Sequence, residues 1–320
     1  MRVLITGAAG FIGSNLYTRC VAEGWRVRGV DDLSNGHLRF LPREHDVYVC
    51  DFSNETVLEE IRNKEYDVVF HIAAVPRVSY SVEHPLETND VNVNRTLQLL
   101  DACRDNVKRV VFASSSSVYG GADVSCEATH ENYPRNPRSP YALQKAIIED
   151  YLRLYDELYG LDSVCLRFFN VFGPNQLGDS PYATAVSAWL TAIKKGVPMR
   201  SDGDGEQSRD MCYVDNVVDA CIKAASNRGR LHARCYNVAC GDRITNNEIL
   251  QFLLKRYPGS TVIHAPERPG DVKHTHANVA RAREELGYVP LVRFWEGLDR
   301  TIDWYEREWN TMISKMRLNT

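Results

Sequence analysis

The segment Thr6-Gly7-Ala8-Ala9-Gly10-Phe11-Ile12-Gly13 constrains this chain more than any other. It spaces three glycines by three, directly after the apolar run Val3-Leu4-Ile5 and at the start of a helical pattern reaching from Phe11 to about Glu23. A strand that turns into a helix within a few residues needs backbone conformations and close approaches that a Cβ forbids, and glycine supplies them. The helix N-terminus so formed presents N–H groups and the positive end of its dipole, a seat for phosphate. Eighteen residues past Gly13, the next apolar run, 26–30, ends in Asp31-Asp32. A carboxylate there can accept both ribose hydroxyls of an adenosine and repels a 2′-phosphate. Strand, glycines, helix and acid in this order point to a dinucleotide, and Asp31 points to NAD. Arg28 and Arg39 keep NADP as the alternative.

The alternation continues. Val47-Tyr48-Val49, Asp67-Val68-Val69-Phe70 and Arg109-Val110-Val111-Phe112-Ala113 are short apolar runs. Helical patterns separate them, including one from about Asn89 to Asp105 with Val93, Leu97, Leu100 and Ala102 in a stripe. Another runs from Pro140 to Tyr159, opened by proline and closed near Gly160. Strands apolar on both faces and separated by helices imply a parallel sheet covered on both sides, hence a doubly wound α/β fold of Rossmann type.

After Asn170 the pattern gives way to loops rich in Gly, Pro, Asn and Asp around 173–181, 201–210, 240–247 and 265–273. No linker or repeat separates the halves. Residues 1–170 are therefore expected to form the dinucleotide-binding domain, with some later segments returning to it. Residues 171–320 are expected to form mainly a smaller α/β substrate-binding lobe packed against it, with the ligand in the cleft between. In 140–159, Ile147, Ile148, Tyr151, Leu152, Leu154, Tyr155 and Leu158 cover more circumference than one buried stripe requires. A homodimer formed through the helices near 89–105 and 140–159 is the expectation, deep burial the alternative.

A net charge of −4 and a pI near 6.2 disfavour a broad basic face for nucleic acid. No run of ~18 apolar residues suggests a membrane span. The first residues run straight into a strand, leaving no room for a signal peptide, so the expected location is cytoplasmic. Nine cysteines include no Cys-x-x-Cys pair and no zinc-finger spacing with histidine, which favours reduced, packed thiols over metal ligands or disulfides. Cys126 in particular has no histidine spaced to activate it.

Of the 16 tyrosines, only Tyr141 has a lysine, Lys145, four residues on. On a helix that spacing turns a phenol and an ammonium to one spot. Tyrosine is a poor base at its ordinary pKa near 10, but the lysine and a positive nicotinamide ring both favour phenolate. Run 109–113 leads into Ser114-Ser115-Ser116-Ser117, where hydroxyls at the ligand end of a parallel strand could hold a substrate hydroxyl against Tyr141. A serine-rich turn is the plainer reading.

These residues, with others spread along nearly the whole chain, resemble the extended short-chain dehydrogenase/reductases and, among them, nucleotide-sugar epimerases of the UDP-glucose/UDP-galactose type. The matching stretches are Thr6-Gly7-x-x-Gly10-x-x-Gly13, Asp31, His71-x-Ala73-Ala74, Asn92-Val93-x-x-Thr96 and Ser114-Ser115-x-x-Val118-Tyr119-Gly120. They continue through Tyr141-x-x-x-Lys145, Arg167-x-x-Asn170-x-x-Gly173-Pro174, Gly203-Asp204-Gly205-x-Gln207-x-Arg209-Asp210 and Arg268-x-Gly270-Asp271-Val272. The resemblance implies catalysis by Ser115, Tyr141 and Lys145. It implies an NAD site built from Gly7, Gly10, Phe11, Ile12, Gly13, Asp31, Asp32, Asn35, Asp51, Phe52, Ala73, Ala74, Asn92, Tyr141 and Lys145, with Asp51 and Phe52 near the adenine. It implies a UDP-sugar held by Ser115, Ser116, Ser117, Tyr141, Asn170, Arg209, Arg268, Asp271 and Thr275. No metal is implied. Forked arginine donors suit phosphate oxygens independently of any resemblance.

The implied reaction is 4-epimerisation of a UDP-hexose through a transient 4-keto sugar. Related 4,6-dehydratases carry Asp-Glu where this chain has Ser116-Ser117, because eliminating water needs a further acid and base. Decarboxylating relatives usually keep a glutamate at the position of Ser117, so neutral serines favour epimerisation. Thr275 stands where the epimerases limit space beside the sugar C2 substituent, and threonine leaves both plain and N-acetylated hexoses open. A uronic acid needs a cation, and Gln176-Leu177-Gly178-Asp179-Ser180 supplies none. Dehydratase, uronate-type epimerase or decarboxylase, and a non-enzymatic NAD sensor on the same fold are the alternatives. Two departures stand out: Pro76-Arg77 lies near where some epimerases have a lysine, and Arg95 replaces a common glycine.

Overall fold

The computed structural model describes residues 1–121, 128–178, 183–267 and 272–316, with side chains as far as Trp309. The first half delivers strands β1 (Arg2–Thr6), β2 (Arg26–Asp31), β3 (Val47–Val49), β4 (Val68–His71), β5 (Arg109–Ser115) and β6 (Ser163–Phe168). A seventh strand, Arg234–Val238, comes from beyond residue 170 and pairs with β6. The sheet is parallel throughout, in the order Arg234–Val238, β6, β5, β4, β1, β2, β3. The order reverses at β1, and a ligand crevice opens at the carboxyl ends of the strands at such a switch point.

Alternation along each strand divides the core into two layers. Val3, Ile5, Val68, Phe70, Val111 and Leu166 face one side with Leu16, Tyr17 and Cys20 of α1 (Phe11–Ala22) and residues of helix Val214–Ser226. Leu4, Val30, Val69, Val110, Phe112 and Cys165 face the other, against Leu58, Leu99 and Ile148. Those three belong to α2 (Glu55–Arg62), α5 (Thr96–Cys103) and α6 (Pro140–Tyr159). Burial on both faces is why these strands read as continuous apolar runs.

Helix α6 has the bounds its sequence predicts, because its ends are chemically specified. Ser139 Oγ accepts the Ala142 N–H at 3.2 Å, Pro140 stands in the first turn, and Gly160 closes the helix in a left-handed conformation at φ 70°. Its inner face buries Ala142, Lys145, Ala146, Ile148, Glu149 and Leu152. The surplus apolar residues Leu143, Tyr151, Leu154 and Leu158 lie exposed on the outer face, so deep burial of the whole helix is excluded.

The helix expected over 89–105 is present without a break, but its first half is π-wound. Between α3 (Val78–Glu83) and α5 lie α4 (Pro85–Asn89) and a π-helical stretch, Asp90–Arg95. The wider winding points Asn92 and Val93 inward and brings Asp90 and Arg95 together at 2.8 Å. Beyond residue 170, short pairs organise the loops: Val171–Phe172 with Cys212–Tyr213, Met199–Asp202 with Val262–Ala265, and Ser208–Arg209 with Ile244–Thr245. The eight cysteines among the described residues are free thiols, and Cys126 lies outside those residues. No helix among the described residues is long and apolar enough to cross a membrane.

Candidate active site

At the carboxyl end of β1 the chain turns left-handed at Gly7, φ +68°, and the Gly7 carbonyl accepts the Gly10 N–H at 3.1 Å. A Cβ on Gly7 would stand 2.9 Å from Ala73 Cα, and one on Gly13 only 1.9 Å from Gly7 O. Turn, helix and the 72–74 loop thus pack backbone against backbone. The first-turn N–H groups of α1, those of Phe11, Ile12 and Gly13, have no intrahelical acceptor. Gly10 supplies no side chain to cap them. This is a cradle for a pyrophosphate.

Asp31 closes the far side of the cradle. Its Oδ2 accepts the Ala9 N–H at 2.9 Å and its Oδ1 the Leu33 N–H at 2.8 Å. Burial raises its pKa while those N–H groups oppose the rise. Asp32 is turned to its own loop, accepting from Ser34 N–H and Ser34 Oγ, and Asn35 is exposed beside it. Arg28 is committed elsewhere: it pairs with Asp46 at 2.8 Å and Glu60 at 3.5 Å and lies over the Tyr48 ring. That removes the principal support for NADP. Cradle and carboxylate together fit NAD.

The loop after β4 is set by hydroxyl bookkeeping around His71. Thr6 Oγ1 accepts from Ile72 N–H and Ala73 N–H at 3.1 Å each, so its own proton goes to His71 Nδ1 at 2.8 Å. His71 Nε2–H then donates to Thr96 Oγ1 at 2.9 Å. Burial, with Lys145 adding repulsion, drives the His71 pKa down to about 3, so the ring is neutral. Ala73 and Ala74 therefore present main chain in a fixed place. Asn92 braces the same loop: it accepts from Val75 N–H and donates to Val75 O and Gln144 Oε1. Both of its N–H groups are engaged with protein. Phe52 turns its ring inward, 4.9 Å from His71, which leaves its main chain to face a cofactor.

Ser115, Tyr141 and Lys145 gather where β5 meets α6. Ser115 accepts the Ser117 N–H at 3.2 Å and lies close enough to the Tyr141 phenol to lower its pKa. Tyr141 is 9% exposed and Lys145 4%, and the Lys145 ammonium lies 5.9 Å from the Tyr141 ring centroid. Lys145 Nζ donates to Ala113 O at 2.7 Å. Burial pushes the Tyr141 phenol up to about 12, only partly relieved by Ser115, and pushes Lys145 down to about 7 despite Glu149. The phenolate therefore becomes accessible once positive charge enters the site. Glu149 is neutralised by a buried two-pronged pair with Arg167, at 2.8 and 2.7 Å, and also accepts from Ser114. Ser117 Oγ is buried without a hydrogen-bond partner among the described residues.

Asn170 and Thr275, 105 residues apart, meet at 3.0 Å. Asn170 holds an unusual φ of +26°, a conformation asparagine tolerates. Arg209 donates to Ser208 O and Lys273 O. Arg243, Lys273 and Arg209 lie close enough to His274 that, after burial, they are what lowers its pKa. Arg209 thus has cationic company suited to a diphosphate. Arg268 and Asp271 lie outside the described residues, as do Asp179 and Ser180 of the 176–180 loop.

One contributor escaped the sequence reading, and a second was matched there only as part of a motif, with no role given. Ser81 Oγ accepts the Tyr141 N–H at 3.1 Å, so α3 caps the catalytic helix from 60 residues away, and no local pattern marks it. Asp210, fully buried, accepts from Cys240 N–H, Gly241 N–H and Ala277 N–H. Burial raises its pKa to about 7 against those hydrogen bonds. It ties the 240–241 turn and the segment carrying Thr275 to Arg209. Its place beside Arg209 was the available signal.

The model of the NAD dependent epimerase/dehydratase family matches residues 3–239. UDP-glucose 4-epimerase of Mycolicibacterium smegmatis is 35% identical, the match covering 96% of this chain and 99% of that one. The structure of UDP-N-acetylglucosamine 4-epimerase from Methanobrevibacter ruminantium, in complex with UDP-N-acetylmuramic acid, superposes with a TM-score of 0.89 at 35% identity, covering 96% of this chain and 98% of that one. That of Thermus thermophilus UDP-glucose 4-epimerase with NAD gives 0.87 at 33%, covering 96% and 99%.

Proposed function

Because the chain belongs to the NAD-dependent epimerase/dehydratase family, we propose that it interconverts a UDP-hexose and its C4 epimer, in the glucose/galactose or the N-acetylated series. The observation that carries this reading is the Ser115–Tyr141–Lys145 cluster beside the glycine cradle, with neutral Ser116 and Ser117 in place of acids.

NAD, when bound along Gly7, Gly10, Gly13 and Asp31, supplies a reversible hydride acceptor for the sugar C4. Tyr141 takes the proton of the 4-hydroxyl, holds it while the sugar is a ketone, and returns it to the oxygen of the epimer. Lys145 stabilises the phenolate electrostatically, and Ser115 holds the sugar oxygen in line with the phenol. Arg209 and Asn170, with Arg268 and Asp271, grip the UDP portion while the hexose presents either face. No carboxylate stands at Ser116 or Ser117 to draw a proton from C5, so the ketone is not diverted to elimination. Thr275, with its hydroxyl engaged by Asn170 and the Asp210 N–H, borders the C2 substituent.

The outer stripe of Leu143, Tyr151, Leu154 and Leu158 on α6, beside exposed Val78, Val82 and Leu86, supports a homodimer through this face. Free thiols throughout the described residues support a reducing, cytoplasmic setting.

Incubation with UDP-glucose, UDP-N-acetylglucosamine and UDP-glucuronate separately, followed by NMR, tests the reaction. A 4-epimer pair identifies substrate and chemistry together, whereas a 4-keto-6-deoxy product overturns epimerisation. Undiminished turnover by Tyr141→Phe would sink the mechanism.

A further inference from the structure

The ion pair between Asp51 and Arg95 takes no part in the chemistry above. Val49, the last residue of β3, pairs in register with Asp31, and the Cys50 N–H donates to Asp31 O at 3.1 Å. Asp51 therefore emerges beside the ribose-binding carboxylate, one strand further from the glycine cradle. With the pyrophosphate on α1 and the ribose on Asp31, the adenine end of the cofactor falls on this side.

Arg95 reaches Asp51 from the π-helical stretch, NH1 to Oδ2 at 2.6 Å. Its Nε is simultaneously held by Asp90 Oδ2 at 2.8 Å. Residues five apart lie roughly 140° apart around an α-helix. The wider π winding brings them to one side, so the local irregularity is what aims Arg95. Asp51 is pinned at both oxygens, Oδ1 by the Ser53 N–H and hydroxyl, Oδ2 by Arg95. Burial opposes ionisation of Asp51, yet these partners keep its pKa below the ordinary value. The side chains are 26% and 35% exposed, so the bridge spans the rim of the crevice rather than its floor.

We propose that Asp51 and Arg95 form a clasp over the adenine end of the NAD site, and that Arg95 is a cofactor-retaining residue. Ionised and oriented, Asp51 offers an acceptor to an amino group such as that of adenine. A guanidinium plane suits the face of a purine. Retention matters to an enzyme whose cofactor is regenerated in every cycle, because each lost NAD is an idle site.

The inference rests on adenosine binding at Asp31, and the experiment separates the two. NAD release from the holoenzyme is followed by rapid gel filtration and chromatography of the bound nucleotide, and affinities for AMP and for nicotinamide mononucleotide are measured by calorimetry. Arg95→Gly is expected to release NAD roughly tenfold faster, the effect of losing one charge-assisted contact. It is also expected to weaken AMP while leaving nicotinamide mononucleotide unchanged. Arg95→Lys, which keeps charge and helix propensity but loses the fork, should fall between. Raising salt should speed release from the wild type more than from Arg95→Gly. Wild-type release rates in both Arg95 variants, or equal weakening of the two mononucleotides, overturns the clasp. Asp31→Asn with unaltered AMP affinity overturns the placement of adenosine instead.

Discussion

Replacing Gly13 with alanine would put a methyl carbon 1.9 Å from Gly7 O, 2.8 Å from Gly7 C and 3.0 Å from Ala8 Cα. All three atoms are backbone, so no side chain can swing aside. Restoring a tolerable separation of about 3.2 Å requires α1 to move by roughly 1.3 Å relative to the turn, a strain of the overpacking kind worth about 1–3 kcal/mol of stability. The first-turn N–H groups move with the helix. Two charge-assisted hydrogen bonds to a pyrophosphate, at about 1.5–3 kcal/mol each, are then lost. Their sum, about 3–6 kcal/mol, corresponds to roughly 10²–10⁴-fold weaker NAD binding. Gly10→Ala is the internal control, because its methyl would meet Gly7 O at 3.2 Å, a contact relieved by a few tenths of an ångström. Calorimetric titration with NAD, nucleotide content after purification and thermal denaturation measure the outcome. If Gly13→Ala binds NAD as tightly as Gly10→Ala, the pyrophosphate is not seated on the start of α1 and the argument from close packing fails.

Other substitutions read the catalytic helix and the second lobe. Ser81→Ala leaves the buried Tyr141 N–H without its acceptor, at a cost of about 1–3 kcal/mol, and should lower kcat several-fold with little change in KM. A lowered melting temperature with wild-type kcat would reduce Ser81 to a purely structural cap. Lys145 titrates near 7 in the fold against an ordinary 10.5, so its stabilising contribution is present above pH 10.5 and is lost as pH falls through about 7. The melting temperature of the wild type should therefore gain on that of Lys145→Met as pH rises from 7 to 10. Asp210 shifts the opposite way, from 3.8 to about 7, so its contribution is complete below pH 3.8 and disappears as pH rises through about 7. Asp210→Asn turns an amide N–H toward backbone donors. It should be destabilised by a margin that narrows from pH 4 to 7, with KM for the UDP-sugar raised; a pH-independent margin would contradict the shift.

The parts of the site legible in the sequence are those whose physical demands are local. The glycine turn, the helix cap at Ser139, the proline and glycine bounding α6, and the Tyr141–Lys145 spacing each follow from backbone conformation or helical pitch within a few residues. Apolar strands separated by helices were enough for a parallel sheet, because burial on both faces leaves no polar alternation. The π winding within helix 89–105 was not legible, since it adds no distinctive residue and is held by Asp90 meeting Arg95 and by Asn92 meeting Val75 and Gln144.

By itself, then, the sequence determined a dinucleotide fold, the order of its strands along the chain and the Tyr141–Lys145 pairing on one helix. Tertiary structure alone decided that Arg28 turns away to Asp46 and Glu60, that Ser81 caps α6, and that Asp210 draws two segments to Arg209. It alone placed Thr275 on Asn170 and Arg95 on Asp51. Each of these joins groups well separated along the chain, and a hydrogen bond or ion pair has no sequence period. Its partners are chosen by which surfaces the core brings face to face.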